Sequence, residues 1–379
     1  MQSPTIIFLV IALILVLALF FIRDKRGMSI ALVSDSAGNE AILTKATMRH
    51  EKMLFLIDTA YAGAPVLSTS YLSYIESRRG MRTKYSHDLQ TKYRLVVDAS
   101  TTNDDSPDAR MTQSSTNALA SFIARTGCRM YTSGCTMRLM GIGETTESQS
   151  DLLLCPDVRF GIHGGLLNTS ASEVFVTNPL PSSVHILTMD FMMHRSPCVL
   201  MPARGQFIWN VDDARMHSSF VFLHPTFVGG AIRIPMLIGG TELNIVIDTG
   251  ASAPLSIARD THITTCRPMS TPLRATQVGV NGEQVCSDAL FTNVQIGSLN
   301  MGEIQVFFNS HPIQGADGYA GMGLLRALDI WFASHEVGFR YSGLQTRTSA
   351  VLTEGKCENT TLPQCSLRND ANTTREQHF

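Results

Sequence analysis

The sequence predicts a mostly β protein, with two tandem β lobes following an N-terminal apolar helix. Three observations carry this. Short apolar runs broken by turn residues recur from Ser29 onward. An ordered internal repeat divides those runs into two sets. One uncharged apolar stretch precedes both.

That stretch is Thr5 to Ile22, and it contains no Gly or Pro. Its length is near the roughly 20 residues that span a bilayer as a helix. Arg23, Asp24, Lys25 and Arg26 follow at once. No basic residue precedes the run and no small-residue cleavage site ends it, as a secretory signal would require. The expectation is a retained single-pass membrane anchor over 1–27, with a cleaved signal as the weaker reading. The basic flank places the bulk of the chain on the cytoplasmic side. The sequons at Asn168, Asn359 and Asn372 point outward. The side of the membrane therefore stays open.

After the anchor, apolar runs such as Ala231–Ile238, Leu243–Ile247, Ile304–Phe308 and Val337–Tyr341 read as strands. No long helical period of 3.6 competes with them. Ser68–Arg79 and Gly323–Leu328 read as short helices. Ser100–Ser115 is polar and reads as a surface insertion or loop. Thr346–Phe379 is polar and charged, and reads as a disordered tail.

The repeat organises the middle of the chain. Phe55-Leu56-Ile57-Asp58-Thr59-Ala60 is answered by Ile245-Val246-Ile247-Asp248-Thr249-Gly250. Ala64–Ser68 is answered by Ala253–Ser256. Met140–Glu144 is answered by Val278–Glu283, and Ser150–Gly161 by Ser287–Gly297. Leu167–Val176 is answered by Leu299–Phe308. Ile186–Asp190 lines up with Tyr319–Gly323. The order is kept throughout once one insertion near 80–130 is allowed in the first copy, which loops tolerate well. The lobes are expected over 28–211 and 221–345.

The Asp248 loop has a chemistry of its own. A carboxylate ending a buried strand is costly unless it is hydrogen-bonded or shares a proton. Gly250 lets the backbone turn and bring an N–H to it. Thr249 offers a hydroxyl across an interface. Two such loops face to face would hold two carboxyls that cannot both ionise. The ionised one can activate water and the protonated one can polarise a carbonyl.

At these residues the chain resembles the pepsin and retropepsin clan of aspartic peptidases. The resemblance rests on Asp248-Thr249-Gly250-Ala251-Ser252 after an apolar strand, and on the Asn281-Gly282 hairpin turn. It also rests on Asp317–Gly323, then Leu324–Phe332 and Val337–Tyr341. It covers Val221–Tyr341 well and Ser29–Val211 loosely. It implies that Asp248 and Asp58 are the catalytic aspartates of an endopeptidase acting on protein or peptide substrates. It implies that Thr249, Gly250, Thr59 and Gly321 support the catalytic loops. Gly279, Asn281, Gly282, Gly141 and Gly143 would belong to flaps over bound peptide. No metal or organic cofactor is implied.

The first lobe departs from the pattern at Ala60, in place of the loop glycine, and at Thr188, in place of the second glycine. A Cβ at 60 is tolerated at negative φ and strained at positive φ. Three alternatives follow: an inactive peptide-binding or structural membrane protein, a homodimer pairing two Asp248 loops, and a membrane-tethered interaction module.

Composition sets the outer bounds. The chain has 379 residues, 44% hydrophobic and 16% charged, and a formal net charge of −2. That balance, without a basic cluster, gives no reason to expect nucleic acid or anionic lipid as a partner. The eight cysteines form no CxxC pair. Cys128 with Cys135, or Cys357 with Cys365, are candidate bridges that could equally stay reduced. His50, His163, His185, His194 and His217 lack ligand spacing. Gly141 and Gly143 suit a hairpin tip better than a phosphate loop, since no Lys or helix start follows. Ser252 and Ser256 lack a nucleophile-elbow context. The Met140 and Met189–Met193 clusters read as core filling, and Asp317 as a turn residue.

Overall fold

The structure is a computed structural model. It describes residues 27–34, 40–78, 108–140, 145–161, 171–178, 185–211, 213–258, 261, 263, 274–278, 284–309 and 315–343.

The first half supplies β1 (Gly27–Ser34), β2 (Glu40–Met48), β3 (Glu51–Ile57) and β4 (Val66–Ser68). Helices α1 (Thr69–Arg78) and α2 (Asp108–Thr126) follow. Then come β5 (Arg129–Met140), β6 (Thr145–Phe160), β7 (Ala171–Asn178) and β8 (His185–Leu187). Helix α3 (Met189–Met193), β9 (Cys198–Met201) and β10 (Gln206–Trp209) complete it. Helix α4 (Ala214–His217) leads into the second half.

That half has β11 (Val221–Leu223), β12 (Thr226–Val228), β13 (Ala231–Ile238) and β14 (Thr241–Ile247). It continues with β15 (Leu255–Ala258), β16 (Arg274–Val278), β17 (Gln284–Ile296) and β18 (Leu299–Asn309). It closes with β19 (Gly318–Ala320), α5 (Met322–Leu325), β20 (Leu328–Phe332) and β21 (Val337–Tyr341).

The protein is mostly β. Among the described residues the strands form one sheet of 13 strands and one of 8. The two halves repeat one pairing scheme. β3 runs parallel to β8 with Ile57 opposite Leu187, and β14 runs parallel to β19 with Ile247 opposite Ala320. β4 is parallel to β7, as β15 is to β18. The hairpin β5–β6 is answered by β16–β17. The halves join where β9 pairs with β20, Leu200 opposite Ile330. On either side lie β10 and β1 from one half, β21 and β11 from the other.

The strands form because their apolar residues are buried in bulk. Ile245, Val246 and Ile247 at the end of β14 are all buried, as are the five residues of β20. Branched and aromatic side chains of this kind fit a pleated surface packed on both faces. The strand ends carrying Asp58 and Asp248 are thus anchored by their own apolar residues. Buried Asp329 joins the two halves' edges, accepting from Arg340 Nε at 2.9 Å with Arg204 at 3.5 Å.

Two expectations need correction. The stretch read as a loop through Ser115 becomes helical from Asp108, because α2 continues to Thr126. Ala118, Leu119 and Phe122 form its buried stripe, and they lie beyond the polar residues that suggested a loop. Cys128 pairs with Cys155 rather than Cys135, which is a free thiol. The β5–β6 pairing sets Arg129 opposite Leu154, so the strand after α2 delivers Cys128 to Cys155. Cys357 and Cys365 lie outside the described residues.

Among the described residues no helix is long and apolar enough to cross a membrane. Thr5–Ile22, the three sequons and the 346–379 tail lie outside them.

Candidate active site

The site forms where β3 and β14 end against each other. Asp58 follows Ile57 and Asp248 follows Ile247. Each backbone N–H is fixed by the neighbouring parallel strand, Asp58 N to Leu187 O and Asp248 N to Ala320 O, both at 2.9 Å. Each carboxylate then folds back on its own turn. Asp58 Oδ1 accepts from Ala60 N at 3.0 Å and Tyr61 N at 3.2 Å. Asp248 Oδ1 accepts from Gly250 N at 2.9 Å and Ala251 N at 3.0 Å.

Thr59 and Thr249, both fully buried, lock the loops together. Thr59 N donates to Thr249 Oγ1 at 3.1 Å, and Thr249 N donates to Thr59 Oγ1 at 3.0 Å. Each hydroxyl in turn donates across to the strand before the other aspartate. Thr59 Oγ1 reaches Ile247 O at 2.6 Å, and Thr249 Oγ1 reaches Ile57 O at 2.7 Å. The backbone N–H and the hydroxyl of each threonine are thus paired across the clasp, as burial demands.

Across this clasp, Gly250 lies against the first carboxyl. A Cβ on Gly250 would stand 2.7 Å from both Cγ and Oδ2 of Asp58. Glycine is needed here for space, not for backbone angle, since its φ is not among the positive values. The structure therefore brings together Asp58, Asp248, Thr59, Thr249 and Gly250.

The carboxyls share an environment that opposes two negative charges. Asp58 is 8% exposed and Asp248 is partly exposed. Burial pushes the Asp58 carboxyl up to about 6, against the pull of the Ala60 and Tyr61 N–H groups. Burial first, and then the charge of Asp58, push Asp248 up to about 8. Such a pair titrates as one unit and holds a proton between its members near neutrality.

Gly321 backs the Asp248 loop. A Cβ there would overlap the carbonyl oxygens of Ala251 and Ala253. The first lobe solves the same problem differently. Thr188 is fully buried and caps α3, accepting from Phe191 N at 3.4 Å and donating to Gly63 O at 2.5 Å. Asp190 Oδ2 accepts from Gly63 N at 2.9 Å. Gly63 has φ +99°, a conformation that glycine permits. Thr188 thus turns a close approach into a hydrogen bond. Ala60, for its part, has no positive φ.

The proposed flap residues Gly141, Gly143, Gly279, Asn281 and Gly282 lie outside the described residues. The strands on either side of them pair up to Met140 with Thr145 and Val278 with Gln284. Among the other candidates, His185 is a core residue. Its Nδ1 accepts from Ser68 N at 3.0 Å, and burial pushes its imidazole down to about 3. Asp317, in the bend before β19, is tied to β14: its Oδ2 accepts from Asn244 N at 2.7 Å and its N donates to Asn244 O at 2.9 Å. Met189 and Met192 are buried in the core. Among the described residues no group of His, Cys, Asp and Glu could hold a metal ion.

Sequence reasoning missed Tyr61, Gly63 and Asp190. Tyr61 follows Ala60 in the loop, is partly buried and feels the charge of Asp58. The available signals were the Gly63-Ala64-Pro65 run, of which the repeat took only Ala64 onward, and Asp190 at the end of Ile186–Asp190, read only for its place in the repeat.

No family model matches the chain, and no curated protein matches it. Among solved structures, Basic 7S globulin from soybean is similar over 83% of this chain and 96% of that one, at 12% identity and TM-score 0.42. Conglutin gamma, a basic 7S globulin from lupine seeds, covers 83% and 95% at 10% identity and TM-score 0.42. A retropepsin-like aspartic protease from Rickettsia conorii covers 32% and 90% at 16% identity and TM-score 0.23. Likenesses this distant carry no argument about activity.

Proposed function

We propose that the chain is an aspartic endopeptidase in which one chain supplies both halves of the site, Asp58 from the first lobe (28–211) and Asp248 from the second (221–345). The observation that supports this most is the clasp. Two buried hydrogen bonds between Thr59 and Thr249, and one from each hydroxyl to the strand before the other aspartate, hold the two carboxyl loops face to face, with Gly250 leaving room for Asp58.

The chemistry follows from the shared proton. The ionised carboxylate takes a proton from a water as the water oxygen bonds to the scissile carbonyl carbon. The other carboxyl gives its proton to the carbonyl oxygen. The resulting gem-diol collapses with proton transfer to the amide nitrogen, and the C–N bond breaks. No covalent enzyme intermediate forms, and the pair returns to its starting charge. The loops at Gly141–Gly143 and Gly279–Gly282 would lie over an extended peptide as flaps.

Because Thr249 is already engaged within its own chain, a homodimer built on two Asp248 loops is disfavoured. The reading also takes 1–27 as a membrane anchor. The Cys128–Cys155 bridge and the sequons favour an oxidising compartment for the lobes.

A second reading is an inactive peptide binder, and Ala60 favours it. A mixed peptide library incubated with the full chain between about pH 4 and 7, where a shared-proton dyad works, separates the two. The endopeptidase reading expects internal cleavage that a statine-type hydroxyl peptide blocks. A folded chain that cleaves nothing but still binds that peptide overturns it in favour of the binder.

A further inference from the structure

The loops after Asp58 and Asp248 are each backed by a short turn, and the two turns exchange their residues with the loops they support. Ile57 lies opposite Leu187 as Ile247 lies opposite Ala320, so Thr188, Met189 and Asp190 stand where Gly321, Met322 and Gly323 stand. Val66 lies opposite Ile186 as Ser256 lies opposite Tyr319, so Gly63 and Ala64 stand at the places of Ala253 and Pro254. Strand pairing thus sets the loops one residue away from the Ala-Pro match of the repeat. One bond is common to both lobes. Met189 N donates to Tyr61 O at 2.9 Å, and Met322 N donates to Ala251 O at 2.7 Å.

The remaining contacts are reciprocal. In the second lobe the backing turn is bare and the loop carries the side chains. A Cβ on Gly321 would overlap Ala253 O, and one on Gly323 would stand 2.7 Å from Pro254 Cγ. In the first lobe the turn carries Thr188 and Asp190, and the loop is reduced to Gly63 and Ala64. Gly63 takes φ +99°, which is open to glycine and costly for alanine. Both polar groups of Gly63 then go to the side chains that stand in place of the glycines. Thr188 Oγ1 donates to Gly63 O at 2.5 Å, and Gly63 N donates to Asp190 Oδ2 at 2.9 Å. The preceding residue, Ala62, meets the other lobe, since a Cβ on Gly230 would overlap the Ala62 methyl.

We infer that Asp190 is a positioning residue of the Asp58 half-site: with Thr188 it holds the Gly63 peptide, and through it the loop whose Ala60 and Tyr61 N–H groups fix the Asp58 carboxyl. Its bearing on catalysis rests on reading Asp58 as half of the dyad. The departures of the first lobe at 188 and 190 are then a matched exchange rather than erosion. Two close backbone contacts are traded for two side-chain hydrogen bonds, and the one to a carboxylate belongs to the stronger kind.

The test is amide hydrogen exchange of the full chain, read residue by residue by NMR, for the parent, Asp190→Ala and Asp190→Asn. In the parent the Ala60, Tyr61 and Gly63 amides should be protected. Asp190→Ala should speed exchange at all three by about tenfold or more, the factor for a hydrogen bond to a charged group. The amides of β3, and those of Gly250 and Ala251, should keep their rates. Asp190→Asn retains an oxygen that can accept from Gly63 N and should restore most of the protection. Asp190→Leu keeps the size without the acceptor and serves if the alanine variant does not fold. Unchanged Ala60 and Tyr61 rates would overturn the inference, because Asp190 would then have no hold on Asp58. An equal rise throughout the first lobe would overturn it too, by making Asp190 a general prop, as would an asparagine variant that exchanges as fast as the alanine one. The readout needs no turnover. Failure to cleave peptides therefore counts against the endopeptidase reading alone, while unmoved Ala60 and Tyr61 amides count against the role of Asp190 alone.

Discussion

Thr59 and Thr249 hold each other through reciprocal hydrogen bonds, each backbone N–H donating to the other's hydroxyl and each hydroxyl donating beyond it to the opposite strand. Neither loop satisfies its buried polar groups without the other. The clasp therefore couples the folding of the two halves to the assembly of the site.

Removing one hydroxyl should break that coupling. Thr249→Val leaves Thr59 N–H and Ile57 C=O without partners in a buried place. At about 1–3 kcal/mol for each of the two orphaned groups, stability should fall by about 2–6 kcal/mol. Thr249→Ser should restore most of it. Urea unfolding of the three proteins measures this, and a valine variant within about 0.5 kcal/mol of the parent would rule the clasp unimportant.

Opposite substitutions at the matching positions Thr188 and Gly321 should both destabilise. Thr188→Gly removes a helix cap and the bond to Gly63 O, so it should destabilise by about 1–2 kcal/mol rather than relieve crowding. Gly321→Ala forces a methyl onto two backbone oxygens and should cost about 1–3 kcal/mol. Thermal unfolding of both variants decides. A more stable Thr188→Gly protein would mean that Thr188 is strained after all.

The carboxyl pair should make stability fall as pH rises. Both carboxyls have folded values raised above the ordinary 3.8, to about 6 and about 8. The folded state therefore binds protons more tightly than the unfolded one. That contribution is complete below the unfolded value and is lost as pH climbs through the folded ones. Asp248→Asn should flatten the decline between pH 4 and 8. Denaturant midpoints at pH 4, 6 and 8 test the slope, and a parent protein that gains stability over this range would contradict it.

The Cys128–Cys155 bridge, with a sequence separation of 27, should contribute about 3.5 kcal/mol on the loop-entropy account. Cys155→Ser or sustained reduction should lower the unfolding midpoint accordingly. Mass shifts after alkylation of the denatured chain, with and without reductant, show whether this pair is oxidised.

The strand ends and the clasp were legible because the physics is local. Ile-Val-Ile before Asp248 and Phe-Leu-Ile before Asp58 state both burial and position, and a threonine after each aspartate marks the hydroxyl. The repeat was legible in order but not in register throughout. Strand pairing sets Val176 opposite Leu152 and Phe307 opposite Ala289, so Val176 matches Phe307 rather than Phe308. One residue reverses the facing of a strand, and an apolar run such as Val-Phe-Phe hides the slip. Helix α2 was missed because its first half is polar, and the buried Ala118, Leu119 and Phe122 lie in its second half. The disulfide depended on which strand lies beside Cys128, and that is a property of pairing rather than of spacing. Thr188 looked like a loss because only its bulk was counted, and its hydroxyl finds Gly63 O only in three dimensions.

The most direct test of the central claim is peptide cleavage by the full chain, set against Asp58→Asn and Asp248→Asn under the same conditions. A single site built from both lobes predicts that each substitution alone abolishes cleavage while leaving the fold intact, and that mixing the two variants restores nothing. Full cleavage by the Asp58→Asn protein would contradict the account, because Asp248 would then work without the partner that the clasp holds beside it.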